Sequence, residues 1–159
     1  MIACPTQLKR LDKVQRWFLH ELGISDTEAF VNFNFAPPSI RRAIGLLGFL
    51  HKRTLGTCHP LVTATLPVAN AEMVGDFHTK ALDPCTRGVN YQQRLHSRSL
   101  YSYIYTYSRL PQAFVDIPSV SAFQSRLTHL AKHRATNDQT NWRGSWQTVD
   151  DAVHMLYGS

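Results

Sequence analysis

The segment from Ser39 to Leu55, bracketed by Pro37-Pro38 and Gly56, constrains the fold more than any other stretch. Its residues Ile40, Ile44, Leu47 and Leu50 recur at the three-and-four spacing of a helix, while Leu46 and Phe49 fall off that face. A helix that is apolar around most of its circumference is one that other elements enclose, so this one is expected at the centre. Ser39 is a natural N-cap for a helix from Ile40 to Leu55, and Gly56 can adopt the left-handed conformation that ends it. Gly45 and Gly48 each cost ~1 kcal/mol relative to Ala inside a helix, which predicts that a neighbouring element comes close there.

Further helical patterns flank this one. From Gln7 to Glu21 the residues Leu8, Leu11, Val14, Phe18 and Leu22 share helical spacing, and Gly23 supplies the stop. Asp26 can cap a short helix from Thr27 to about Phe33 before the two prolines interrupt the backbone. The run Leu100-Tyr-Ser-Tyr103-Ile104-Tyr-Thr-Tyr107 alternates like a strand and also makes a helix face, so periodicity leaves both open, with Ser99 available as a helix cap. Leu110-Pro111 ends it. Ser119 caps a helix carrying Val120, Phe123, Leu127, Leu130 and Ala131, whose last turn holds Lys132, His133 and Arg134, as the helix dipole prefers. After a polar stretch from Ala135 to Thr140, Trp142, Trp146, Val149 and Val153 again share a helical spacing.

Residues 57–98 carry Pro60, Pro67, Gly75, Pro84 and Gly88 with weak periodicity, so this connection is irregular or holds short helices or strands. The expected architecture is therefore mainly α: an irregular helical bundle with a central buried helix at about 40–55 and a long irregular connection at 57–98. At 159 residues and 43% hydrophobic content the chain fits one domain, 1–159, with helical halves at 1–56 and 99–159.

Charge and cysteines narrow the function classes. Seventeen Lys and Arg against eleven Asp and Glu give a net charge of +6, which suits a polyanionic partner. Three cysteines, Cys4, Cys58 and Cys85, form no Cys-x-x-Cys pair, and their odd number argues against a disulfide framework. The start of the chain lacks an apolar signal region, and no window approaches the ~18 apolar residues that a membrane helix needs. A soluble protein of nucleus or cytoplasm, without membrane contact, is the expectation.

The strongest binding constellation lies on the first helix. Lys9, Arg10, Lys13, Arg16 and His20 stand opposite its apolar stripe, and Trp17 projects into that arc between Arg10 and Lys13. Cationic side chains neutralise phosphates, and an indole can stack on an unpaired base for roughly 1–3 kcal/mol. The plainer alternative is a solvated charged face with Trp17 covering the edge of the core. Arg41 and Arg42 sit in the first turn of the central helix, where the dipole disfavours positive charge, so a phosphate or an acid such as Glu28 or Asp26 should compensate.

Other constellations point away from catalysis and metals. His51 lies on the apolar face of the central helix and reads as a hydrogen-bonded core residue; His129 and His133 form an i, i+4 pair, and Cys58-His59 has no matching second pair. A closed zinc site needs four such ligands, so no metal or cofactor is expected. Thr148-Val149-Asp150-Asp151 superficially resembles a polymerase metal box, yet it reads better as an N-cap followed by acids in a first helical turn. No Gly-x-Ser-x-Gly, P-loop or Gly-x-Gly-x-x-Gly occurs, so hydrolase and nucleotide-binding readings lack support.

Three blocks taken in order resemble a known family. Leu11-Asp-Lys-Val14-Gln15-Arg16-Trp17-Phe18-Leu19 is similar to a Leu-x-x-Val-Gln-Arg-Arg-Phe-Leu helix. Arg41-Arg42-x-Ile44-x-Leu46-Leu47-x-x-Leu50-His51-Lys52, with Gly56 and Pro60 beyond, is similar to Arg-Arg-Asp-Ile-x-x-Leu-x-x-Leu-(His/Tyr)-Lys. Tyr107-Ser-Arg-Leu110-Pro111 followed by Pro118-Ser119-Val120 and Phe123 to Leu127 is similar to Trp-Asn-x-Leu-Pro and Ser-Val-x-x-Phe-x-x-x-Leu. Together they resemble the region after the palm, the thumb and its extension, in jockey-like non-LTR retrotransposon reverse transcriptases. The family has Arg where this chain has Trp17, and Asp where it has Ala43.

The resemblance implies a module without the polymerase palm, hence no enzyme, that holds an RNA or DNA backbone through Lys9, Arg10, Lys13, Arg16, Trp17, His20, Arg41 and Arg42. The alternative it implies is a structural subunit whose exposed apolar face, with Trp142, Trp146 and Phe49 as candidates, meets a protein partner. A relic reading frame without selected function is the third reading.

Overall fold

The computed structural model describes residues 5–65, 68–69, 81–82, 100–137, 142–146 and 156. Among them run seven α-helices: α1 (Pro5–Glu21), α2 (Asp26–Phe33), α3 (Pro38–Thr54), α4 (Pro60–Thr65), α5 (Leu100–Ser108), α6 (Gln112–Val115) and α7 (Val120–Thr136). A 3₁₀ turn at Trp142–Gly144 follows α7. The extended structure is one short antiparallel ladder, β1 (Val68–Ala69) with β2 (Ala81–Leu82), pairing Val68 with Leu82 and Ala69 with Ala81. The chain is mainly α, as its periodicity predicts. The connection 57–98 thus contains α4 and this ladder, while Pro67, Gly75, Pro84 and Gly88 lie outside the described residues, as do Cys4, Cys85 and Ser99.

α3 occupies the centre, with α7 and α5 packed on it and α1 and the 3₁₀ turn alongside. Ile40, Ala43, Ile44, Leu47 and Leu50 are buried, so the face read from spacing is the face that packs. Of the two glycines, only Gly48 meets a neighbour: a Cβ there would run into the Gln124 side chain of α7, whereas Gly45 has nothing within 4 Å. The expected close approach therefore exists at one site and not at the other.

His51 anchors the centre of the bundle. Its ring stacks on Phe123 of α7 with centroids 4.1 Å apart and planes at 9°. Nε2 lies 2.8 Å from the Ile117 carbonyl, and Nδ1 lies 2.9 Å from the Tyr107 hydroxyl. A carbonyl only accepts, so Nε2 donates to it and Nδ1 is left to accept from Tyr107. Thr54 Oγ1 joins the same hydroxyl at 2.9 Å. Three elements thus share one polar node inside an apolar core, and burial pushes the Tyr107 hydroxyl up to about 12.

The tyrosine run is a helix because one of its two possible faces is enclosed. Ile104 and Tyr107 are buried while Tyr105 points outward. Ser119 caps α7 as expected, its Oγ accepting from Ala122 N at 3.5 Å. Phe123, Leu127, Ala131 and Ala135 then form one i, i+4 row against α3.

Several local expectations are corrected. Ser25, not Asp26, caps α2: it is extended, and its Oγ accepts from Glu28 N at 3.1 Å. Asp26 falls one position later and turns its carboxylate to Arg143 instead. α3 starts at Pro38 with Pro37 as a cap that makes no side-chain bond, and Ser39 Oγ donates to the Arg143 carbonyl at 3.3 Å. Proline suits a first helical turn because its missing N–H would have no partner there. α3 ends at Thr54, and Gly56, at φ +73°, takes the left-handed role.

The helix expected through Trp142 and Trp146 is a 3₁₀ turn, and Trp146 itself has φ 68°. That left-handed residue lets its indole reach back into the bundle, where Nε1 donates to the Leu127 carbonyl at 3.1 Å. Trp142 stacks on Phe30 at 5.8 Å. Both tryptophans are buried, and Phe49 is half-buried against the same core. None of the three forms an exposed apolar face. Thr148, Val149, Asp150, Asp151 and Val153 lie outside the described residues.

Candidate nucleic-acid interface

α1 does not bury the stripe that its sequence advertises. Leu19 and Gln15 are its buried residues, while Leu11, Val14, Phe18 and Leu22 stay 49 to 62% exposed. The cause is polar. Gln15 Nε2 donates to the Ala36 carbonyl at 3.3 Å, and Gln15 Oε1 accepts from Arg41 Nη2 at 3.1 Å. Asp12, one turn earlier, pairs with Arg42 at 3.4 Å. A buried amide left without partners costs about 1–3 kcal/mol, so satisfying Gln15 sets the roll of the helix and leaves part of the stripe outside.

That roll places the basic arc in solvent. Lys9, Arg10, Lys13, Arg16 and His20 are all exposed, and none forms an ion pair or side-chain hydrogen bond among the described residues. Trp17 is 65% exposed between Arg10 and Lys13, so it does not cover the core edge. These six predicted residues are brought together on one surface, without internal partners among the described residues.

Arg41 and Arg42 are placed differently. Arg41 bonds to Gln15 and lies over the Phe35 ring at 5.4 Å. Arg42 is half-buried between Asp12 and Tyr103, whose hydroxyl is raised by burial and lowered in part by that guanidinium. The acid that compensates the first turn of α3 is thus Asp12, not Glu28 or Asp26. These two arginines hold α1 to α3, and they sit apart from the free arc.

A groove of about 320 Å³ opens beside the arc, with Lys9 and Arg16 on the α1 wall, Pro37 to Ser39 as its floor and Arg143 opposite. Two carboxylates line it, and each is already engaged: Asp12 by Arg42, and Asp26 by Arg143 at 2.8 Å. The charges left over in the groove are Lys9 and Arg16. Sequence reading missed Arg143 because its partner Asp26 lies 117 residues away and no periodicity links them.

Two of the histidines have partners within the chain. His51 is the hydrogen-bonded core residue expected, and His133 approaches Asn137 at 3.3 Å. Among the described residues no group of three or more His, Cys, Asp or Glu could hold a metal ion, and no helix is long and apolar enough to cross a membrane. Comparison of the chain with family models, curated proteins and solved structures finds no match in any of the three.

Proposed function

We propose that this chain is a non-catalytic nucleic-acid-binding module that grips an RNA or DNA backbone through α1. The observation that carries this reading is the basic arc: Lys9, Arg10, Lys13, Arg16 and His20 reach solvent, without a partner among the described residues, around an exposed Trp17. Such an arc captures phosphates by releasing their counterions, and the indole offers a stacking platform for an unpaired base. Phosphate contacts position a strand without reading its sequence, so binding is salt-sensitive and weakly sequence-specific. The resemblance of the three sequence blocks to the thumb and extension of jockey-like reverse transcriptases supports the same reading, with nucleus or cytoplasm as the site of action.

Fluorescence anisotropy with single-stranded RNA, single-stranded DNA and duplex at two salt concentrations tests it. Affinity should fall steeply with salt, with a log–log slope of roughly −3 for four phosphate contacts. Trp17→Ala should weaken single strands more than duplex. Affinity that ignores both salt and the reversal of Lys9, Lys13 and Arg16 would reject the role.

A further inference from the structure

The strip that α1 leaves outside is a second surface that shares Arg10 alone with the basic arc. Leu11, Val14 and Phe18 run along the solvent side of the seventeen-residue α1, and Leu22, one residue past its end, continues the row, each about half exposed or more. A continuous apolar row of this kind marks an interface. The charges on its border say what fits.

Arg10 and Glu21 lie on the same border of the strip, about 20° apart around the helix axis and about 17 Å apart along it. Both are exposed, and neither has an ion pair among the described residues. From this we infer that α1 packs antiparallel against α1 of a second copy of this chain. In that arrangement Val14 faces the second copy's Phe18, Leu11 faces its Leu22, and Arg10 pairs with its Glu21, each contact occurring twice about one two-fold axis.

The three pairings agree on where the axis falls. Their midpoints lie at residues 15.5 to 16.5, a spread of one residue or about 1.5 Å of helix rise. An antiparallel two-fold pair sets each border against the same border of its mate, as a self-complementary interface requires. A parallel pair joins opposite borders and would leave Arg10 and Glu21 without each other. Lys9, Lys13, Arg16 and His20 lie on the far side of the helix, so like charges do not meet across the seam, and these four members of each arc stay open while Arg10 turns to the seam. An anionic lipid surface would set Glu21 against headgroups of its own sign, and an acidic helix would favour the far side. A second copy satisfies the strip and both border charges.

Sedimentation equilibrium of the full chain across a wide range of concentration tests the pairing. The expected result is a reversible monomer–dimer equilibrium that Leu11→Ser with Phe18→Ser abolishes while helicity by circular dichroism is kept. Arg10→Glu alone and Glu21→Arg alone should each weaken dimerisation about tenfold, and the two together should restore it to within about threefold. A monomer at every concentration, a dimer indifferent to Leu11 and Phe18, or a double exchange whose losses add would each overturn the inference. So would a monomer that adsorbs instead to vesicles of anionic phospholipid.

Discussion

α1 and α3 are both seventeen-residue helices with basic residues and an apolar face, yet the fold uses them in opposite ways. α3 engages several of its polar groups within the chain: His51 bridges Tyr107 and Ile117, Arg53 is buried with a bond to the Thr63 carbonyl, and Arg42 is tied to Asp12, while Arg41 and Lys52 stay exposed. α1 docks through Leu19, Gln15 and Asp12, and keeps its cations and four of the five residues of its apolar stripe in solvent. Composition does not separate a structural helix from a binding helix. What separates them is whether each polar group finds its partner within the chain.

The largest test of this contrast is Trp146→Ala. Its indole is fully buried and bonded to Leu127, so removal should cost about 3–5 kcal/mol in urea denaturation, whereas Trp17→Ala on α1 should cost well under 1 kcal/mol. Equal losses would break the comparison. Next in size, reversing Lys9, Lys13 and Arg16 together should lower nucleic-acid affinity about a hundredfold at low salt and leave stability within about 1 kcal/mol. A large stability loss would mean that the arc supports the fold.

Tyr107 sharpens the core side of the comparison. Its pKa is raised from 10.0 to about 12 by burial, so the folded state holds this proton more tightly than the unfolded chain does. The associated stability is complete below pH 10 and is lost as pH climbs toward 12, on the order of 2 kcal/mol. Denaturation midpoints should fall over that window, and Tyr107→Phe should remove part of the fall. The smallest effect separates the glycines of α3: Gly45→Ala should stabilise by about 0.5–1 kcal/mol, while Gly48→Ala, which displaces Gln124, should gain less or lose. Thermal melting of the two variants reads the difference.

Much of the bundle was legible because it follows from neighbours in sequence. The enclosed face of α3, the stop at Gly56, the cap at Ser119 and the core role of His51 all rest on residues within one or two turns of each other. The six residues of the basic arc were legible for the same reason, since one helix carries them all. The cap of α2 was misread by one position, because Ser25 and Asp26 are both good caps and the distant Arg143 engages the second. Trp142, Trp146 and Phe49 were expected at the surface because a segment separated from a palm should keep an apolar face; a left-handed Trp146 and the stacking of Trp142 on Phe30 put both indoles inside instead, and nothing nearby in sequence announces it.

The sequence alone determined, to within a few residues, where α1, α2, α3 and α7 run and which of their side chains share a face, because those depend on local spacing and on backbone groups within a turn. Only the tertiary structure decided the roll of α1, and with it which face meets solvent. That choice depends on Gln15 finding Ala36 and Arg41, and on Asp12 finding Arg42, across stretches of chain that periodicity does not connect. A buried amide needs its partners more than an apolar strip needs cover, and the exposed surfaces of α1 are the result.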